Sequence, residues 1–216
     1  MTPDLDIERR LALAYVPADR RPSLETLWRL DVTLGQVVAT GSDRMISRIR
    51  LAWWREALER LDRERPPAEP LLEAASALIL PQGVTGAELA GLADGWEVLL
   101  EPVALEAKEL HAYGAGRGGR LFSIGARLLG GEADGIAEAG ARWALADLAR
   151  RSSRPEEAAA ALAAGQRQAS VRWPRALRPL GMLAALADRD IGRGAPEPAG
   201  SPARILRMVR HRLTGR

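Results

Sequence analysis

The chain has 216 residues, 47% of them hydrophobic, enough for one domain with a sizeable core and too few for two comfortable ones. It contains no cysteine, which excludes disulfides, zinc ribbons and thiol catalysis together. The net charge is only +3, and every basic residue except Lys108 is arginine; this is a bias toward arginine rather than a basic patch with interleaved aromatics, so nucleic acid is not an expected partner.

The start, Met1-Thr-Pro-Asp-Leu-Asp6, is acidic and lacks the apolar core of a secretory signal, and no run approaches the roughly 20 apolar residues of a spanning helix. A soluble cytoplasmic protein is the expectation. Alternating β-branched and aromatic runs are missing, and one Phe and two Tyr fit a sheet protein poorly. The fold class expected is all-α, a single-domain helical bundle. Helices are expected near 5–16, 22–39, 43–62, 69–79, 85–100, 105–129, 132–151, 155–168, 175–190 and 203–213, with Pro or Gly at most joints. Ser42-Asp43 and Arg154-Pro155-Glu156-Glu157 read as helix starts.

On the second helix the apolar face runs through Leu24, Leu27, Trp28, Leu34 and Val38, and Asp31 falls inside it. The third, Met45–Leu61, carries apolar side chains over well more than half of its circumference, which predicts a helix surrounded by others, its two tryptophans packing against different partners. Arg50 projects into that apolar sector, where a buried guanidinium needs an anion: either an internal carboxylate, with Asp31 the expected partner, or a ligand diphosphate. Arg63–Pro70 reads as a stiff linker.

Tyr113-Gly-Ala-Gly-Arg-Gly-Gly-Arg120 contains the G-x-G-x-x-G spacing of a dinucleotide loop, but helix is expected on both sides, and that motif must follow a strand. Gly114, Gly118 and Gly125 instead allow close approach of a neighbouring helix or of a ligand chain beside Tyr113. Asp147 shares a helical face with Ile136 and Trp143, with Arg150 one turn later. Asp31 and Asp147 are thus the candidate catalytic residues, and Arg50, Arg150, Tyr113, Gly114 and Gly118 the candidate ligand or diphosphate contacts. One carboxylate per helix is a poor magnesium site, because a hard dication bridging phosphates wants several oxygens; pairing of Asp31 and Asp147 with Arg50 or Arg150 is the competing expectation. His111 and His211 are far apart in sequence, so no metal site or serine–histidine triad is expected.

Three segments are expected: a helical domain over 1–191, a flexible Pro/Gly linker over 192–202, and a basic amphipathic helix over 203–216. The last holds five arginines and no acid. Arg204, Arg207, Arg210 and Arg212 are candidates for contact with an anionic membrane or an acidic partner, the competing expectation being a helix that closes the bundle.

Taken together, residues 5–190 resemble the squalene/phytoene synthase family, the head-to-head prenyl synthases of the isoprenoid-synthase fold. Leu13–Trp28 is similar to the family's opening helix pair. Arg50-Leu-Ala-Trp-Trp-Arg-Glu-Ala-Leu58 resembles its L-x-W-W-R-x-x-L segment, and Glu109–Gly119 with Leu128-Leu-Gly-Gly131 its Y-x-x-x-x-A-G-x-x-G helix. The resemblance implies two aspartate-rich motifs that hold Mg²⁺ and substrate diphosphates. Where the first would fall stand Gly35, Gln36 and Ala39; where the second would fall, Arg150 is kept but Arg151 and Pro155 replace acids. The family also includes members with degraded motifs, among them a mitochondrial assembly factor for respiratory complex I. A non-catalytic protein is therefore expected, without a cofactor, binding a prenyl or lipid chain or a membrane-complex assembly partner, cytoplasmic or peripheral at the inner membrane. The alternative is an active prenyl transferase acting on isoprenyl diphosphates with Mg²⁺. The oligomeric state is left open.

Overall fold

A computed structural model describes residues 4–41, 43–101, 105–166 and 171–215. Helices are α1 Ile7–Ala14, α2 Arg21–Thr40, α3 Arg44–Arg60, α4 Pro70–Leu78, α5 Gly86–Glu97, α6 Ala107–Tyr113, α7 Arg120–Leu128, α8 Ile136–Arg151, α9 Pro155–Ala164, α10 Arg178–Arg193 and α11 Pro202–Thr214. No strand occurs among the described residues, and none of their helices is long and apolar enough to cross a membrane. The all-α reading holds.

Local signals start these helices where the sequence places them. Asp6 caps α1 by accepting from the backbone of Glu8 and Arg9, Glu69 caps α4, and Thr85 with Glu88 forms a reciprocal capping box on α5. Asp43 caps α3 through the Met45 N–H at 2.7 Å, while Ser42 lies outside the described residues. The helix expected over 105–129 runs on as α6, a π-helical turn at Gly114–Gly119, and α7. That turn is glycine-rich because its neighbours touch it. A side chain at Gly118 or Gly140 would collide with the other's carbonyl, and one at Gly95 with the backbone at Gly116 and Arg117. Backbone contact this close draws α5, the π turn and α8 together. Gly114 likewise faces Ala141 of α8. Gly114 and Gly118 are thus helix-packing residues rather than contacts for a ligand chain.

Helix α3 corrects an expectation. It buries only Ser47, Leu51, Trp54, Ala57 and Leu58, because it is a peripheral helix that packs mainly on α5, with α2 alongside. Arg50 is exposed, so the expected buried guanidinium and its pair with Asp31 do not form. The two tryptophans do not each seat in a different neighbour: Trp54 is buried, Trp53 is about half exposed, and their rings meet edge-on at 5.2 Å.

The C-terminal helix packs along α10. Arg204, placed in the sequence among surface arginines, is fully buried: its Nε donates to Glu8 Oε1 at 2.6 Å, and its Nη1 to Asp190 at 2.6 and 2.7 Å. Met208 and His211 are buried beside it. Arg207 and Arg212 are half-buried, Arg212 lying over the Tyr15 ring, and Arg210 is exposed. The connection before α11 is pinned rather than loose, since Gly200 donates its N–H to Glu8 and Glu197 pairs with Arg189 and Arg193. Removal of α11 is therefore costly, as for a helix that closes the bundle.

Two measurements follow from this junction. Arg204→Ala leaves Glu8 and Asp190 buried without their cation and is expected to cost about 3–5 kcal/mol in urea unfolding. Burial alone would raise the Glu8 carboxyl, but the Arg204 hydrogen bond, the Gly200 N–H and Arg150 bring it from 4.5 down to about 2. A depressed carboxylate stabilises the fold above its unfolded pKa, so this contribution is full above pH 4.5 and is lost as pH falls toward about 2. Acid titration of Glu8→Gln should lack that part of the loss.

Candidate functional site

Asp31 sits on the buried face of α2 and is fully enclosed. Its Oδ1 accepts from Trp96 Nε1 at 3.0 Å and Arg117 Nε at 2.8 Å, and its Oδ2 from Arg9 Nη2 at 2.8 Å and Arg117 Nη2 at 2.9 Å. The same Arg117 Nη2 lies 2.8 Å from Oδ2 of Asp147 on α8, and Arg117 Nη1 donates to the Tyr113 hydroxyl at 2.6 Å. Asp31 and Asp147 thus converge on one nitrogen. Aromatic faces enclose the guanidinium, with Trp96 at 4.1 Å and Trp143 at 4.8 Å from its central carbon. Arg9 lies over the Trp143 ring at 5.0 Å.

The charges are set by this packing. Burial opposes ionisation of Asp31, but Arg117 and Arg9 override it and hold the carboxyl below its usual range; Arg117 and Arg151 do the same for Asp147. Burial raises the Tyr113 phenol to about 12, and the two aspartates add to the rise against Arg117. Tyr113 stays protonated at neutral pH. Asp147 also accepts from Arg151 Nε at 3.0 Å, and Arg150 reaches Asp147 at 3.7 Å while pairing with Glu8 at 3.0 Å.

Beside this cluster lies a cavity of about 850 Å³, bounded by α2 and the C-terminal end of α8. Arg9, Asp31, Trp96, Tyr113 and Arg117 form its polar floor, and Val32, Val38, Leu99, Leu105 and Leu148 supply apolar wall. Gly35, Gln36 and Ala39 line it from α2, and Arg151, Ser152 and Arg154 from the end of α8 and the turn after it. No group of three or more His, Cys, Asp or Glu able to hold a metal ion occurs among the described residues.

Residues 5–153 match the squalene/phytoene synthase family. The chain belongs to that family. The match spans every residue of the Asp31–Arg117–Asp147 cluster, and the all-α bundle is of the family's isoprenoid-synthase type. No curated protein and no solved structure gives a match to the chain. Gly35, Gln36, Ala39 and Arg151 all line the cavity.

Of the residues singled out in the sequence, Asp31, Asp147, Tyr113 and Arg150 come together here, and Arg50, Gly114 and Gly118 do not line the cavity. The expected arginine partner of Asp31 exists, but it is Arg117, with Arg9 behind it. Arg117 was hidden by its setting, a single long side chain among Gly114, Gly116, Gly118 and Gly119. Its i, i+4 spacing from Tyr113 was the available signal. Arg9 and Trp96 gave none, since each contact depends on how α1 and α5 cross α2.

Arg117→Met removes the cation between two buried carboxylates and should cost about 3–5 kcal/mol in denaturant unfolding. Arg117→Lys should restore little, because an ammonium cannot bridge both carboxylates and the Tyr113 hydroxyl in one plane. Tyr113→Phe strands one guanidinium N–H, at about 1–3 kcal/mol by the same measurement.

Proposed function

We propose that this squalene/phytoene synthase-like protein is a non-catalytic member of its family that holds a prenyl or related lipid chain in the cavity beside Arg117, and that it acts at the periphery of a membrane, in the manner of an assembly factor. One observation carries the reading: the Arg117 guanidinium occupies the space between Asp31 and Asp147. Magnesium bound to diphosphate needs several carboxylate oxygens free to face it. Both oxygens of Asp31 are each taken by two N–H donors, Asp147 is shared among arginines, and the neighbouring motif positions are Gly35, Gln36, Ala39 and Arg151. This donor set does not fit the metal. Without it, departure of a diphosphate lacks the charge neutralisation that its transition state demands. The apolar wall still suits a hydrocarbon chain, because such sites combine broad apolar lining with a few fixed polar groups.

The competing reading, an active head-to-head prenyl transferase, draws on the convergence of Asp31 and Asp147 at one cavity. The two separate by assay. With Mg²⁺ and farnesyl or geranylgeranyl diphosphate, no squalene or phytoene is expected, and formation of either product would sink the binding-protein reading. Titration with farnesol or geranylgeraniol is expected to alter Trp96 fluorescence, and Val38→Trp, which fills the cavity, should weaken that binding about tenfold or more. If no chain alcohol binds the wild-type protein, the lipid-chain reading fails and a protein partner is left.

A further inference from the structure

Helix α3 carries large apolar side chains that the described residues leave uncovered: Met45 is 63% exposed, Ile46 54%, Ile49 62% and Trp53 48%. At the pitch of an α-helix these four fall within an arc of about 100°. Such a contiguous exposed patch marks an interaction surface, whereas scattered single residues would not.

Its flanks say what kind. From Arg44 to Arg55 the sequence holds arginines at 44, 48, 50 and 55 and no acid. Arg48 is taken by Glu101, and Arg55 by Asp94 and Glu97. Arg44 and Arg50 have no ion-pair partner among the described residues; Arg50 borders the apolar arc on the helix surface, and Arg44 precedes it at the start of the helix. An apolar face bordered by free cations, with a tryptophan within it, matches the boundary of an anionic bilayer, where the indole is favoured and phosphates meet the arginines. A second copy of the chain is a poorer occupant, since stable protein interfaces use about 20–30 residues a side. Position adds to this: Arg44 lines the 850 Å³ cavity next to Val38 and Ala39, so the arc begins at the cavity rim.

We propose that the N-terminal half of α3 is the membrane-contact element of this protein, seating Met45, Ile46, Ile49 and Trp53 in the headgroup–acyl boundary of an anionic bilayer with Arg44 and Arg50 on lipid phosphates. This deepens the membrane-peripheral part of the proposed function and places the cavity rim at the lipid surface. It moves the contact away from the C-terminal arginines, of which Arg204 is buried.

The experiment is flotation of the full chain with phosphatidylcholine vesicles, with and without phosphatidylglycerol, and quenching of tryptophan by brominated lipid. Wild-type protein should float with the anionic vesicles and not with the neutral ones, and its emission should be quenched. The double variant Ile46→Ser/Ile49→Ser, at exposed positions that leave the core intact, should lose binding about tenfold or more. Arg50→Glu should weaken it without changing the circular dichroism spectrum. Retained binding in both variants, with loss in Leu206→Ser/Leu213→Ser on α11, would overturn the assignment to α3 while leaving a membrane role. Absence of wild-type binding would overturn both. Concentration-dependent dimerisation abolished by the double variant would show a protein interface and overturn the lipid assignment. Chain-alcohol binding, measured without vesicles, is independent of each result.

Discussion

The guanidinium of Arg117 is the point on which the molecule's centre depends. Buried ions are costly, and this one is tolerated because every direction from it meets a partner: Asp31 on α2, Asp147 on α8, the Tyr113 hydroxyl, and the faces of Trp96 and Trp143. These partners are spread over α2, α5, α6 and α8, so one side chain fixes the relative positions of four helices. The glycine contacts serve the same geometry. With Gly118 against Gly140 and Gly95 against Gly116, the backbone carrying Arg117 comes close enough for its short fork to reach both carboxylates. A bulkier π turn would hold the two aspartates apart.

A dication held between two carboxylates is exchangeable and can bring a phosphate ligand with it. A covalently attached cation has neither property. The charge that compensates Asp31 and Asp147 is installed at folding, so the cluster keeps its electrostatic balance while the hollow beside it stays open. The helices need the negative charges of Asp31 and Asp147 neutralised, and here a side chain of the protein itself does it.

Much of the fold was legible because helix caps and amphipathic spacing are local. Asp6, Glu69, Asp43 and the Thr85–Glu88 box act within one turn of themselves, and Asp31 stood out because an acid inside an apolar stripe breaks a local pattern. What escaped was decided by which helices cross. Arg50 and Arg117 are both arginines in helical settings, and only the outward placement of α3 and the inward turn at Gly114–Gly119 distinguish them. Arg204 escaped likewise, since its position among surface arginines carries no hint of Glu8, 196 residues away. In a chain whose cations are almost all arginine, residue type alone does not sort buried bridges from solvated ones.

That junction of Glu8 with Arg204 also bears on the order of assembly. A contact across 196 residues cannot help any early segment to form, because almost the entire chain must be arranged before its ends meet, and the entropy of closing so long a loop is recovered only then. The bridge between α1 and α11 is a late-closing latch. Interactions that form after the folding barrier act on the rate of opening more than on the rate of closing. The latch therefore governs how long the bundle persists once made, a matter of lifetime, while the Arg117 hub governs which bundle is made.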